Sequence, residues 1–137
     1  MKRYLPLLLV LILVGCGSDP STLIQHLGGY WQIEKVVMPG GEERSFKLNP
    51  LVDYIEVSGD SGIRKKVLPQ LDGSFKVNES AETFTLEVVD DSLKMHYRTP
   101  FDRWSETVVK ADDSILVIIN RDQKRYYYKK FTTFSLD

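Results

Sequence analysis

Few side chains in this sequence have the type and spacing that chemistry requires. Its 137 residues hold one cysteine, Cys16, and two histidines, His26 and His96. A nucleophile needs an adjacent base, and a structural or catalytic zinc needs closely spaced thiolate or imidazole ligands; neither pattern is present. The pairs Asp90-Asp91 and Asp112-Asp113 would suit an acid and base or oxygen ligands for calcium. Each precedes a serine between two apolar runs, where aspartate serves the backbone of a turn. Gly59 and Gly62 have no following helix with which to cradle a phosphate and read as turn glycines. The run from Lys124 to Phe134 mixes basic and aromatic residues, and reads as a final strand whose lysine stems snorkel over its tyrosines. His26 and His96 are expected on a helix surface and on a solvent face, without partners. The expectation is no catalysis, no metal and no cofactor.

The elements that position any site follow an export segment. Lys2 and Arg3 precede the run Leu5 to Val14, broken only by Pro6, and Gly15 places a small residue before Cys16. This is the anatomy of a secretory signal. A run of ten is too short for the about 20 apolar residues that a spanning helix needs. The tetrapeptide Leu13-Val14-Gly15-Cys16 resembles the lipobox of bacterial lipoproteins. The resemblance implies cleavage before Cys16 and its conversion to a diacylglyceryl thioether, usually with a further acyl chain on the new amino group. Membrane attachment through this anchor would be stable, because two chains hold where one is marginal. The alternative is an ordinary signal peptide with a free cysteine beside its cleavage site.

Three segments result: a signal peptide over 1–15, the lipidated cysteine and a tether over 16–21, and one domain over 22–137. The tether, Gly17 to Ser21, holds that domain within about 17 Å of the lipid. Gly17 stands where inner-membrane lipoproteins often carry Asp. The outer membrane, facing the periplasm, is therefore favoured over the inner membrane and over the cell surface. After the signal, 122 residues remain, enough for one domain with a core and too few for two. Net charge moves from −1 to −3 once Lys2 and Arg3 leave, which excludes nucleic acid as a partner.

The mature chain has two alanines against 25 Val, Ile and Thr residues and 14 aromatics, a composition of strands. One short helix comes first, with Thr22 and Gln25 as a capping box, Leu23, Ile24 and Leu27 on one face, and Gly28 as terminator. Period-two runs follow, divided by Gly, Pro, Asn and Asp clusters. Strands are expected over Tyr30 to Met38, Tyr54 to Val57, Ile63 to Leu68 and, more weakly, Phe75 to Val77. Five more form a meander from Thr83 to Phe131, turning at Asp90-Asp91-Ser92, Thr99 to Asp102, Asp112-Asp113-Ser114 and Arg121 to Lys124. An open sheet of that many short strands would leave two edges bare. An all-β, up-and-down antiparallel barrel of about 8 to 9 strands is therefore predicted, with a two-sheet sandwich as the alternative.

Gly29-Tyr30-Trp31, at the start of the first strand and after a short helix, is similar to the Gly-x-Trp motif of lipocalins. The resemblance implies a lipocalin-like barrel in which Trp31 plugs the closed end and a basic residue from near the last strand covers its ring. Arg121 and Arg125 both occupy that region, and the sequence leaves the choice open. The mature chain as a whole resembles the small lipocalin-like domains of bacterial lipoproteins. Ile115 to Ile119 is apolar at every position, so part of the outer surface is expected to be covered by the helix, by the connection Pro39 to Asp53, or by a partner.

Two functions fit. In one, a small apolar or amphipathic ligand occupies a pocket lined by Ile33, Phe84, Leu86, Met95, Tyr97 and Trp104. In the other, the barrel is filled and its outer surface engages an envelope protein as an interaction or inhibitor module. An enzyme ranks well behind both.

Overall fold

The computed structural model of the chain describes residues 19–46 and 50–132, with residues 78–80 described by backbone alone. Residues 1–18 lie outside that span, and with them the signal, Cys16 and most of the tether. The chain enters through a 3-10 helix, Pro20–His26, capped by the Asp19 side chain, which accepts from the Ser21 N–H at 2.9 Å. The capping box expected at Thr22 is therefore displaced by three residues, because Asp19 followed by Pro20 is the stronger start: Pro needs no N–H partner there. Pro20 and Ser21, read above as tether, belong to the folded domain.

Nine strands follow: β1 Gly29–Val37, β2 Glu43–Ser45, β3 Val52–Ser58, β4 Ser61–Pro69, β5 Phe75–Val89, β6 Ser92–Arg98, β7 Arg103–Ala111, β8 Ile115–Ile119 and β9 Arg125–Lys130. All neighbours are antiparallel, and β1 pairs with β9 as well as with β3, so eight strands close into a barrel. The three residues of β2 extend the sheet where β1 runs on beyond β3. Closure removes the bare edges that made an open sheet unlikely to persist. Register shifts in β1 after Ile33, in β4 after Lys65 and in β7 after Val108 mark bulges that bend the strands around the barrel.

Nine strands were expected, but two differ. Phe75 to Val77 and Thr83 to Val88 are the ends of one 15-residue strand, since pairing with β4 is made on both sides of the irregularity between Lys65 and Val67. The strand β2 lies in what composition read as a connection. Its three exposed residues carry no alternation to betray them.

The hairpins turn as their aspartates dictate. Asp90 and Asp91 have φ of 47° and 61°, the left-handed pair that a two-residue turn between twisted strands demands. The Asp112 side chain accepts from the N–H groups of Ser114 and Ile115. These turns, with that at Gly59, sit at the same end as the helix, and this end is filled. Leu27, Trp31, Leu93, Met95, Leu116 and Ile118 are wholly buried there, with Leu23 and Ile24 of the helix packed against them. Among the described residues, the eight barrel strands and the buried core cluster all lie between Leu27 and Lys130.

On the outward row of β8, Val117 is buried, with Lys110 and Tyr127 as its partners in register. Phe46 and Leu51 of the long connection remain exposed, and Leu48 lies outside the described residues.

Candidate functional site

Above the filled end, the inward rows of β3, β4, β6, β7 and β9 change from aliphatic to polar. Arg64 is the hub. Its register on β4, opposite Ile55 of β3, aims the guanidinium across the barrel. One Nη donates to the Tyr97 hydroxyl at 2.9 Å; the other donates to Asp53 Oδ2 at 2.6 Å and to the Tyr128 hydroxyl at 2.8 Å. Glu106 lies 3.8 Å away, and the Tyr128 ring lies under the guanidinium at 5.5 Å. Asp53 is completed by Lys66 Nζ at 2.6 Å, and Glu106 accepts from Trp104 Nε1 at 3.4 Å.

Burial sets the electrostatics, and the partners decide its sign. Burial pushes the Asp53 carboxyl up, but the adjacent Arg64 and Lys66 outweigh it and leave the group below the ordinary carboxylate range. Glu106 has only the more distant Arg64, so burial dominates and its carboxyl is raised. Tyr97 is pushed up to about 12 by burial despite the guanidinium, and Tyr128 is raised for the same reason. Burial works against the charge on Arg64, yet the phenols and carboxylates around it more than compensate. The cluster is a neutralised, hydrogen-bonded layer spanning the barrel, costly to disrupt because each charge is satisfied by another.

This layer is the floor of a cavity of about 540 Å³ that opens at the far end of the barrel. Trp104, Tyr126 and Tyr128 form aromatic walls, Glu106 and Asn120 add polar atoms, and Phe101 stands at the mouth. A second cavity of about 90 Å³ lies beside it between Ile33, Leu51 and Tyr126. The space suits one small molecule with an apolar body and a polar group. No group of three or more potential metal-binding side chains occurs among the described residues.

Of the lining expected from the sequence, Trp104 faces the large cavity and Ile33 the small one. Phe84, Leu86, Met95 and Tyr97 are buried in the core, and Phe84 and Tyr97, with Trp104, also border an open groove of about 830 Å³ along β4 to β7. Phe84 lies so tightly across Gly62 that a Cβ there would overlap its ring. The expectation of a continuous apolar pocket through all six is thus corrected: close packing occupies the lower half, and the accessible space is partly polar. Arg64, Asp53 and Glu106 were missed because a charged residue on a strand is normally an outward one. The signal that could have found them is parity, since Asp53, Arg64 and Glu106 share the inward alternation of Ile55, Gly62 and Val108.

Trp31 is fully buried at the closed end, donating from Nε1 to the Leu27 carbonyl at 2.9 Å. Neither Arg121 nor Arg125 covers it. Lys130 does, with Nζ 4.5 Å from the ring centroid and 2.9 Å from the Gly28 carbonyl it donates to. The reason is register: Lys130 pairs directly with Trp31, whereas Arg125 lies opposite Val37 at the other end of β1. Arg121 instead caps Trp104 at 5.8 Å and pairs with Asp102. Gly29 is required by its φ of 127°, and a Cβ there would also displace the flexible end of Lys130 that covers Trp31.

His96 does have partners. It sits 2.6 Å from Ser105 Oγ through Nδ1 and 2.8 Å from Glu87 Oε2 through Nε2. The order of the three groups is that of a proton relay, but the His96 and Glu87 side chains are 38% and 61% exposed, where water competes for each bond. It is a cross-strand network on the outer sheet face. His26 lies 3.4 Å from Asp113, which ties the helix to the β7–β8 turn.

A family model for the lipocalin-like domain matches residues 27–118. No protein among the curated ones matches the chain. The solved structures to which it is similar include a lipocalin-like protein from Bacteroides uniformis, 12% identical, with a TM-score of 0.48 over 77% of this chain and 99% of that one. They also include lobster apocrustacyanin A1, 8% identical, with a TM-score of 0.45 over 86% of this chain and 72% of that one.

Proposed function

The chain belongs to the lipocalin-like domain family, and from that premise we propose that it is an exported, lipid-anchored protein that binds a small amphipathic molecule in the bacterial envelope. The observation that carries the binding part is the half-filled barrel. A cavity of about 540 Å³ is retained above the packed closed end, and its floor is a charged layer rather than side-chain filling. An apolar or aromatic body would lie against Trp104, Tyr126 and Phe101. Its polar group would meet Glu106 and the Tyr128 hydroxyl, whose oxygen already accepts from Arg64 and whose hydrogen can turn to a ligand acceptor. The filled-barrel interaction module fits less well, because an open cavity is what it should lack.

The test is titration of an environment-sensitive amphipathic dye, together with extraction of copurified small molecules. Asn120→Trp should fill the cavity and abolish the dye signal while leaving the core intact. Equal titration of both proteins, with nothing copurifying, overturns the reading.

The anchor rests on Leu13-Val14-Gly15-Cys16, with Asp19 the first described residue after it. We place it at the outer membrane, facing the periplasm, because Gly17 stands where inner-membrane lipoproteins often carry Asp. Cys16→Ser should release the protein from membranes and abolish acyl-chain labelling. A Ser variant that stays bound, beside a wild type that takes up no label, removes the anchor.

A further inference from the structure

The outer wall formed by β6 and β7 is unlike the rest of the surface. Its outward residues include Lys94, Arg98, Arg103 and Lys110, with His96 held by Glu87 of the adjoining β5, and no carboxylate points outward from either strand itself, since Glu106 faces in. In a chain of net charge −1, such one-sided charge is not the average composition at work. Arg98 and Arg103 are directly opposite in register, an arrangement that repulsion disfavours, and neither guanidinium has an ion pair among the described residues. The one acid of their connecting loop, Asp102, is neutralised by Arg121 at 3.2 Å.

That loop also holds Phe101, 97% exposed, the most exposed large apolar residue among those described. A depression of about 780 Å³ lies between Arg98, Arg103, Thr83 and Phe101. An apolar tip flanked by uncompensated arginines fits a surface that is anionic outside and apolar beneath.

We propose that the β6–β7 wall is a docking face for an anionic phospholipid bilayer, with headgroup phosphate held between Arg98 and Arg103 and Phe101 inserted at the interface. The N-terminal helix packs against these same two strands at their other end. The helix and the hairpin therefore stand at opposite ends of these two strands. Phe101 also lines the mouth of the calyx, so docking places that mouth at the lipid surface, where an amphipathic ligand would enter or leave. What is exchanged rests on the calyx reading; the docking face does not.

The experiment is flotation of the barrel over residues 19–137 with vesicles of phosphatidylglycerol and phosphatidylcholine, against phosphatidylcholine alone. The anionic vesicles should carry the protein, less so as salt rises. Arg98→Ser with Arg103→Ser should lower partitioning about twenty-five-fold, as expected for two surface cations of about fivefold each. Arg125→Ser with Lys129→Ser removes equal charge from the exposed face of β9 and should cost less than about threefold. Equal loss in the two double variants, or no flotation of wild type, overturns the proposal. So does soluble glycerol phosphate that saturates a site and displaces the protein from vesicles, which would mark a phosphate site instead. Dye titration without vesicles should be unchanged by Arg98→Ser and Arg103→Ser. If dye binding fails while flotation persists, the calyx reading falls and the docking face stands.

Discussion

The two halves of the barrel solve the same problem in opposite ways. At the closed end, Trp31, Leu93, Met95, Leu116 and Ile118 fill the interior with apolar volume. At the open end, Arg64, Asp53, Glu106, Tyr97 and Tyr128 cross it with a polar network and leave space above. Apolar packing is insensitive to pH and salt and tolerates little change in volume. A buried ionic layer contributes little net stability, but it cannot lose one member cheaply. The closed end holds the fold; the open half keeps a cavity with defined polar directions at its base.

The largest break in this comparison should come from Trp31→Ala, which removes a fully buried indole and its bond to Leu27. The expected loss is about 4 to 5 kcal/mol in urea denaturation; a loss under about 1 kcal/mol would show that the closed end does not hold the fold. Arg64→Met should follow at about 3 kcal/mol, because Asp53 stays buried with Lys66 alone. Adding Asp53→Leu should then recover part of that loss, as an apolar pair replaces buried ions. A double variant worse than the single one would mean that the layer stabilises the barrel as packing does.

Lys130→Ala should cost about 1 to 2 kcal/mol through the lost ring contact and the charged bond to Gly28, and Arg125→Ala close to nothing. The reverse order would restore the arginine expected from sequence as the cover of Trp31.

The smallest effect is the most diagnostic. Glu106 has a folded pKa above its ordinary 4.5, so its charge burdens the fold at neutral pH and is relieved as pH falls through the raised value. Asp53 has a folded pKa below its ordinary 3.8, so its contribution is present above that value and lost as pH falls through the depressed one. Stability should rise slightly as pH falls from neutral through the raised Glu106 value to its ordinary 4.5, and fall below about 3.8. Glu106→Gln should erase the rise and keep the fall. Denaturation midpoints that decline steadily from pH 7 in both proteins would contradict the assignment.

Much of the closed end was legible in the chain. Gly29-Tyr30-Trp31 marks the first strand, the paired aspartates mark hairpin turns, and the alternation of Leu93, Met95 and Tyr97 marks inward positions. The open end was not. Arg64 and Glu106 obey the same alternation, but charge is ordinarily a sign of solvent, and only cross-barrel geometry reveals that five groups from five strands satisfy one another. Lys130 escaped for a related reason: its contact depends on the register of β1 against β9, which a bulge after Ile33 shifts and which no local pattern encodes.

The bond from Lys130 to the Gly28 carbonyl joins groups 102 residues apart in sequence. It spans the seam where the first strand meets the last, so the barrel cannot seal until synthesis of the domain is nearly finished. Loop closure on that scale makes folding slow and late, and until it occurs both seam strands present unpaired backbone. The chain therefore has a built-in delay between being made and being finished, with a single ammonium group acting as the clasp.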